Sequence, residues 1–320
     1  MDAFGAFGPA WERMRRMLFV RSSVGVWFSF GLAFFLQDCV EGGNGYNNYG
    51  SGDPSHLMPR SGLEGWETSE LLAVGAVALV LALALGVLLV WLGSRGQALA
   101  LRSVMAGRIE LGAQWTETRA AGMRLFRWHL GFGAILLTLA VGAFFAIWWV
   151  ASSTRDAPDT SAALMLGTLA GCGLLALPLL ALRSVMRNFV FPLVVAKGLT
   201  LREAWTMFWG AARGHMGGLA LFFLARLLIG LAGGMVAMVS MALTCCIGAL
   251  PILHQTIMAP FYVFERSHAL YTLASLGPEL SLLESPPDEF GGFGASMPGP
   301  YYGAQGAPPP AGGFGGHPGV

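Results

Sequence analysis

Long apolar segments alternate with shorter polar ones along this chain, and the longest apolar segment, 217–264, sets the pattern. A helix needs about 20 residues to cross a hydrocarbon layer about 30 Å thick, so this segment is long enough to cross twice. Cys245, Cys246, Gly248 and Pro251 interrupt it and mark a turn. We therefore predict a membrane-spanning helical hairpin here.

The same length criterion applied to the whole chain predicts an all-α, polytopic membrane protein with six transmembrane helices. The expected spans are 24–40, 71–92, 130–150, 162–182, 217–243 and 249–270. Together with their connections they form a predicted membrane domain, 1–276. The remaining residues, 277–320, are rich in Gly and Pro and are predicted to form a disordered cytoplasmic tail.

Several segments outside the spans have patterns of their own. Residues 1–20 carry apolar side chains at helical spacing, which predicts an amphipathic helix on the membrane surface with Glu12, Arg13 and Arg16 facing away from the apolar side. The apolar positions of that helix are Phe4, Phe7, Trp11, Met14 and Leu18. The Gly-, Asn- and Tyr-rich segment 41–68 is typical of an exposed loop. Phe189–Ala196 is too short to cross, and is either an interfacial continuation of span four or a re-entrant piece.

Recurring sequence indicates three copies of one unit. The hexapeptide Ala-Leu-Arg-Ser-Val-Met occurs at Ala100–Met105 and at Ala181–Met186, and Glu265–His268 is a weaker echo. Polar-to-aromatic segments around Trp11, Trp115 and Trp205 precede spans one, three and five. We therefore predict three repeated helical hairpins, each with an interfacial lead-in helix and with Arg102, Arg183 and Arg266 at equivalent places near lipid phosphates.

One lead-in carries its own start signal, because Thr200 is followed three residues later by Glu203. This spacing predicts a capping box at the beginning of the third lead-in helix.

Composition narrows the class of protein further. Hydrophobic residues make up 55% of the 320 residues and charged residues 12%, against about 25% charged residues in a typical soluble domain. The formal net charge is +1, and no basic cluster has aromatic residues interleaved with it, so nucleic acid is not an expected partner. The lipid bilayer is the expected environment.

The distribution of arginine predicts the orientation. Arginines concentrate before span one and after the even-numbered spans, whereas the connections after the odd-numbered spans carry only Arg60 and Arg155. An excess of Lys and Arg marks cytoplasmic segments. We therefore predict a prokaryotic cytoplasmic membrane protein with both termini in the cytoplasm.

Catalytic signatures are missing from the sequence. It contains no Gly-x-Ser-x-Gly, no His-Glu-x-x-His and no phosphate-binding glycine loop ending in lysine, so we expect no enzyme activity, no cofactor and no metal. Four histidines are scattered singly along the chain: His129, His215, His254 and His268. A cation site on the outer side is the alternative to a solvated acidic loop; its candidate ligands are Asp38, Cys39, Glu41 and His56.

The cysteines leave two alternatives open. Cys39, Cys245 and Cys246 are all expected at the outer face, where they either pack as small apolar residues or include a disulfide from Cys39 to one of the pair.

Arg226 is the one arginine expected inside a span, where a charged side chain is costly. In an antiparallel hairpin that turns at Cys245 and Cys246, Arg226 and Glu265 are level, since each is nineteen positions from the turn. We predict a structural intramembrane ion pair between them. The alternative is that Arg226 reaches the headgroups while Glu265 lies in water.

Five segments resemble a family of uncharacterised prokaryotic six-helix membrane proteins: Ala10–Arg13, Asn188–Leu193, Glu203–Trp205, Leu243–Ile247 and Leu276–Glu279. That family is loosely similar to the membrane domain attached to some glycerophosphodiester phosphodiesterases. The resemblance covers 1–283 and implies no catalytic residues, because that membrane domain is the non-catalytic part.

These observations favour a non-enzymatic scaffold or partner subunit, with other membrane proteins recruited through the lead-in helices or the tail. The alternative is a transporter or lipid-handling protein, which a continuous polar cavity between helices would favour. A membrane-embedded enzyme ranks last, because it needs clustered His or carboxylate side chains in the interior.

Overall fold

The computed structural model describes residues 1–20, 23–41, 68–153, 158–243 and 250–284, and all regular secondary structure in these ranges is helical. The all-α prediction is therefore confirmed for this part of the chain. The α-helices are α1 (Phe7–Arg15), α2 (Val24–Glu41), α3 (Thr68–Ala106), α4 (Leu111–Glu117), α5 (Arg119–Ser153), α6 (Pro158–Val185), α7 (Phe191–Lys197), α8 (Leu201–Ala212), α9 (Met216–Leu243), α10 (Pro251–Ile257) and α11 (Ala259–Ala274).

Four helical stretches of the described residues are long and apolar enough to cross a membrane, which indicates a membrane protein. They are Leu72–Ala106, Arg119–Ser153, Ala163–Lys197 and Leu201–Leu243. They cover predicted spans two to five except for the first residue of spans two and four, and Val24–Val40 is a shorter apolar helix at the position of span one. Six spans are not confirmed.

The predicted sixth span, 249–270, is two helices rather than one. α10 ends at Ile257 and α11 begins at Ala259, because Pro260 in the first turn of α11 has no N–H to continue the preceding helix. The second half of the segment is also polar and enclosed by protein: Glu265, Arg266, Ser267 and His268 are all buried. A single helix facing lipid is therefore the wrong description of this segment.

α3 is much longer than the predicted span 71–92, and its two halves differ. At about 1.5 Å per residue its 39 residues extend over about 58 Å. The half before Gly93 is exposed, whereas nearly every residue from Ser94 to Ala106 is buried by α2, α5, α7 and α11. The core of the protein lies around this second half, and includes Leu99, Leu101, Val104, Met105, Phe189, Phe191, Phe208 and Phe222.

Phe189–Ala196 continues span four rather than re-entering. A π-helical turn, Met186–Val190, joins α6 to α7 without a break in helical structure. Phe189, Val190 and Leu193 are fully buried, so the segment packs inside the protein and not at an interface. α7 ends at Gly198, whose φ of 65° is the left-handed conformation that glycine adopts at helix ends.

In the amphipathic helix predicted for residues 1–20, Arg13 is expected to face away from the apolar side, and this expectation is wrong. Arg13 is buried and donates hydrogen bonds to the backbone oxygens of Val104 and Met105, the last turn of α3. A guanidinium group suits this position, because the last carbonyls of a helix have no partner and carry negative partial charge. Phe4 and Trp11, by contrast, are exposed on the described surface.

The first residues of the predicted disordered tail, 277–284, are described and are folded. Pro278–Leu280 forms a 3₁₀ turn, and Leu280 and Leu282 are buried against the membrane domain. The backbone N–H of Glu284 donates to the oxygen of Met105 over 2.9 Å, and its carboxylate pairs with Arg102. Residues 277–284 therefore belong to the folded unit, and 285–320 lie outside the described residues.

The threefold repeat is not confirmed. Helices do occupy the three lead-in positions, since α1, α4 and α8 precede α2, α5 and α9, and the capping box of Thr200 and Glu203 is confirmed. The three arginines, however, have different surroundings. Arg102 pairs with Glu117 and Glu284, Arg183 is half-buried, and Arg266 is 2% exposed inside the protein.

Candidate functional site

The structure brings the two predicted site residues together. Nη2 of Arg226, on α9, donates to Oε1 of Glu265, on α11, and Nη1 of Arg226 lies 3.4 Å from the backbone oxygen of Glu265. The side chains are only 13% and 10% exposed, so protein encloses most of both charged groups. At such burial an ion pair is retained only when each charge has a partner.

A third charged residue, Arg187, joins this pair and was missed by the sequence reasoning. Its Nη2 atom lies 3.4 Å from the same Glu265 oxygen, and its side chain is 21% exposed. Arg187 belongs to the π-helical turn between α6 and α7, about 40 positions before Arg226 in the chain. α7 and α8 lie between the two positions, so no single hairpin turn relates them and only the tertiary fold reveals the contact. We call Arg187, Arg226 and Glu265 the charged triad.

The charged triad forms one end of a cleft of about 280 Å³ between α9 and the pair α10 and α11. The rest of the cleft is mainly apolar. α9 contributes Ile229, Gly230, Gly233, Gly234 and Ala237, and the facing helices contribute His254, Met258, Phe261 and Tyr262. From Arg226 to Ala237 the cleft follows α9 for eleven residues, or about 16 Å. It is therefore charged at one end, and along its length an apolar wall on α9 faces a wall that also carries the polar groups of His254 and Tyr262.

Glycines on α9 open the cleft to the surroundings. A Cβ atom added at Gly230 or Gly234 would meet no heavy atom within 4 Å, and both residues are exposed. Gly233 has another role, because a Cβ there would lie 2.2 Å from the ring of Phe261. The ring thus packs directly on the α9 backbone, and the space on either side of it stays open.

His254, at the far end of the cleft, is 6% exposed. The other single histidines lie elsewhere: His129 shares a 3.1 Å hydrogen bond with Ser94, and His268 contacts the backbone oxygen of Ala3. No group of three or more His, Cys, Asp or Glu side chains that could hold a metal occurs among the described residues.

The remaining predicted residues lie only partly within the described ranges. Asp38 accepts a hydrogen bond from Gln255, which joins α2 to α10, and Cys39 is half-buried on α2. His56, Cys245 and Cys246 lie outside the described residues, and with them the predicted loop 41–68 beyond Glu41 and the proposed Cys39 disulfide.

Comparison with known families gives one result that covers most of the chain. A family model described as a family of unknown function (DUF7544) matches residues 1–258. The matched region includes Arg187 and Arg226 and ends at the break between α10 and α11, before Glu265. Comparisons with curated proteins and with solved structures give no match, so they supply no link to the phosphodiesterase membrane domain.

Proposed function

Because the chain belongs to the DUF7544 family, whose function is unknown, we propose its role from the geometry of the cleft: it is a non-enzymatic, lipid-handling membrane protein. In this proposal the cleft holds one lipid, with the polar headgroup at the charged triad and an acyl chain along the glycines of α9. The observation that carries the proposal is the pairing of a buried charged end with an open apolar wall.

The two ends of the cleft suit the two parts of a lipid. Guanidinium groups bind phosphate and carboxylate oxygens through parallel N–H donors, and a carboxylate accepts from hydroxyl or ammonium groups. The apolar wall offers van der Waals packing to an acyl chain, which inside a bilayer takes the place of the hydrophobic effect as the attraction between apolar groups. A volume of about 280 Å³ lies just below the range of about 300–1,000 Å³ typical of small-molecule sites, which suits one chain better than a whole phospholipid.

Access to the cleft follows from the exposed glycines. Gly230 and Gly234 face out of the protein on a helix that is apolar enough to span a membrane. An acyl chain could therefore enter sideways from the bilayer, without crossing water. No moving lid is needed for this route.

We place the protein in the prokaryotic cytoplasmic membrane with both termini in the cytoplasm. The arginine asymmetry of the sequence supports this orientation. It would bring the charged triad, whose Arg226 lies ten residues into α9, nearer to the cytoplasmic than to the outer leaflet. The lipid held in the cleft would then come from the cytoplasmic leaflet.

Native mass spectrometry of the purified protein tests the proposal. We expect the wild type to retain one lipid, and the double variant Gly230→Leu with Gly234→Leu to retain it at least about tenfold less, equivalent to about 1.4 kcal/mol. Ala232→Leu is the matched control, because Ala232 is exposed on the opposite side of α9. Equal lipid retention in the double variant and the control would contradict the proposal.

A scaffold or partner subunit is a second candidate, and the exposure of the long helices favours it. The most apolar 18-residue windows of Leu72–Ala106 and Ala163–Lys197 have no buried residue. On α6, added Cβ atoms at Gly167 and Gly171 would meet nothing within 4 Å, so a partner helix could approach the backbone closely there. We propose that a helix of another membrane protein packs against α6 at Gly167 and Gly171.

Crosslinking in membranes tests this second candidate. A photoreactive residue at Leu174, on the same side of α6 as Gly167 and Gly171, should give one adduct of defined mass, which Gly167→Leu with Gly171→Leu abolishes. Gly173→Leu is the control, because Gly173 is equally open but lies on the other side of α6. Adducts of the protein with lipid alone would contradict the scaffold role.

A further inference from the structure

A second cleft, of about 600 Å³, lies where α3 passes from its exposed half to its buried half. Two tryptophans, two arginines, a threonine and a methionine line it: Trp91, Arg95, Trp115, Thr116, Arg119 and Met123. The two arginines are the only charged residues among these lining residues, and neither belongs to the charged triad. This second cleft therefore concentrates positive charge beside aromatic surface.

Arg95 is held in place although it is nearly fully buried, at 4% exposed. Its Nη2 atom donates to the backbone oxygen of Trp115, and its Cζ atom lies 4.5 Å from the centre of the Trp115 ring. Its Nε atom is buried and has no hydrogen-bond partner among the described residues. No carboxylate pairs with Arg95 among the described residues, so an anion in the cleft would supply the counter-charge that a buried guanidinium group needs.

Arg119 adds a second positive charge at the same place. It is exposed at the first position of α5, and its charge repels that of Arg95. The nearby Glu117 does not offset these charges, because its carboxylate points to Arg102 over 2.8 Å.

We propose that the second cleft binds a phosphate anion, and that the phosphate belongs to the headgroup of an anionic membrane lipid. Two guanidinium groups bind phosphate oxygens strongly, and one of them is already oriented by Trp115. The surroundings favour a lipid over free phosphate. Trp91 ends the apolar segment of α3, and tryptophan side chains concentrate at the level of lipid headgroups. Met123 and the two indole rings would cover the glycerol and the first methylenes of the chains.

A binding titration with phosphatidylglycerol, phosphatidylcholine and inorganic phosphate tests this assignment on the purified protein. We expect phosphatidylglycerol to bind at least about tenfold more tightly than phosphatidylcholine, and Arg119→Gln to remove most of that difference. Arg127→Gln is the control. It removes the same charge as Arg119→Gln, but at an exposed residue two turns further along the same helix. The control should leave the preference intact.

Each of the other outcomes would overturn the proposal. Equal effects of Arg119→Gln and Arg127→Gln would mean that net charge alone attracts the lipid. Displacement of phosphatidylglycerol by equimolar inorganic phosphate would mean that the site serves the free anion. Because Arg119 is exposed, loss of fold is not expected, and a thermal unfolding curve of each variant checks this. Closing the α9 cleft with Gly230→Leu and Gly234→Leu should not change the preference, which separates this proposal from the function proposed for that cleft.

Discussion

Arg226 and Glu265 meet side chain to side chain, although the helices that carry them, α9 and α11, share only a short contact. The Glu265 carboxylate also lies beside Arg187, so one carboxylate pairs with two guanidinium groups, those of Arg187 and Arg226, from separate segments. The charged triad thus ties α9 and the α6–α7 junction to α11.

Removing the carboxylate should destabilise the fold strongly. We expect Glu265→Gln to lower the free energy of unfolding by about 3–5 kcal/mol, because two mostly buried guanidinium groups lose their shared partner. Thermal unfolding in detergent measures the change. Reversal of the pair, Arg226→Glu with Glu265→Arg, should restore little, since it places a guanidinium group beside Arg187. Adding Arg187→Gln to the reversed pair should recover more, and no recovery would show that the triad does not act as a unit.

The cap on α3 should contribute a similar share of stability. Arg13→Gln removes a charged donor that serves the backbone oxygens of Val104, Met105 and Glu284. Hydrogen bonds to charged groups contribute about 1.5–3 kcal/mol each, so we expect a loss of at least about 2 kcal/mol in chemical unfolding. Arg15→Gln is the control, because Arg15 is exposed and pairs only with Glu12, and should change stability by less than about 1 kcal/mol.

Close packing of α2 on α3 depends on a residue without a side chain. A Cβ atom at Gly96 would lie 2.4 Å from Cβ and 2.7 Å from the backbone carbon of Leu36. We expect Gly96→Leu to destabilise the protein by more than about 3 kcal/mol, because backbone cannot move aside as a side chain can. Gly86→Leu, on the same helix but with nothing within 4 Å, should be neutral in the same thermal assay. Since leucine forms helices better than glycine, helix propensity cannot cause a loss, and similar losses in both variants would show that the contact of Gly96 with Leu36 is not its cause.

The folded start of the C-terminal segment makes a separate prediction. Leu280 is fully buried, so Leu280→Ala should cost about 2–5 kcal/mol in unfolding free energy. If the chain were disordered from residue 277 onward, Leu280→Ala would leave the unfolding free energy unchanged. Ser281→Ala, which alters an exposed neighbour, controls for local helix and turn effects.

The long apolar helices could be predicted from the sequence because hydrocarbon selects for length and apolarity, which are local properties. The burial of the second half of α3 could not be predicted from the sequence. Arg95, Gln97 and Arg102 look like solvent-exposed residues, and only contacts from distant segments bury or pair them. Apolarity likewise suggested one continuous sixth helix, whereas Pro260 divides it.

The candidate site shows the same division between local and tertiary information. Equal distance from a turn is a geometric rule, so the sequence could place Arg226 level with Glu265. Arg187 and the cleft depend on how α7, α9 and α11 pack, which no periodicity encodes. The open glycine face of α9 was visible in the sequence only as small residues, without a sign of what lies opposite.

The central claim, that the α9 cleft holds a lipid chain, is tested most directly by a phospholipid with a photoreactive group in its acyl chain. The protein is reconstituted in bilayer discs with this lipid, irradiated, and its adducts are mapped by mass spectrometry. We predict adducts concentrated on the cleft-lining residues Ile229, Gly230, Gly234, Ala237 and Phe261, reduced about tenfold by Gly230→Leu with Gly234→Leu and unchanged by Ala232→Leu. Adducts spread evenly around α9, with the same yield in all three proteins, would contradict the claim.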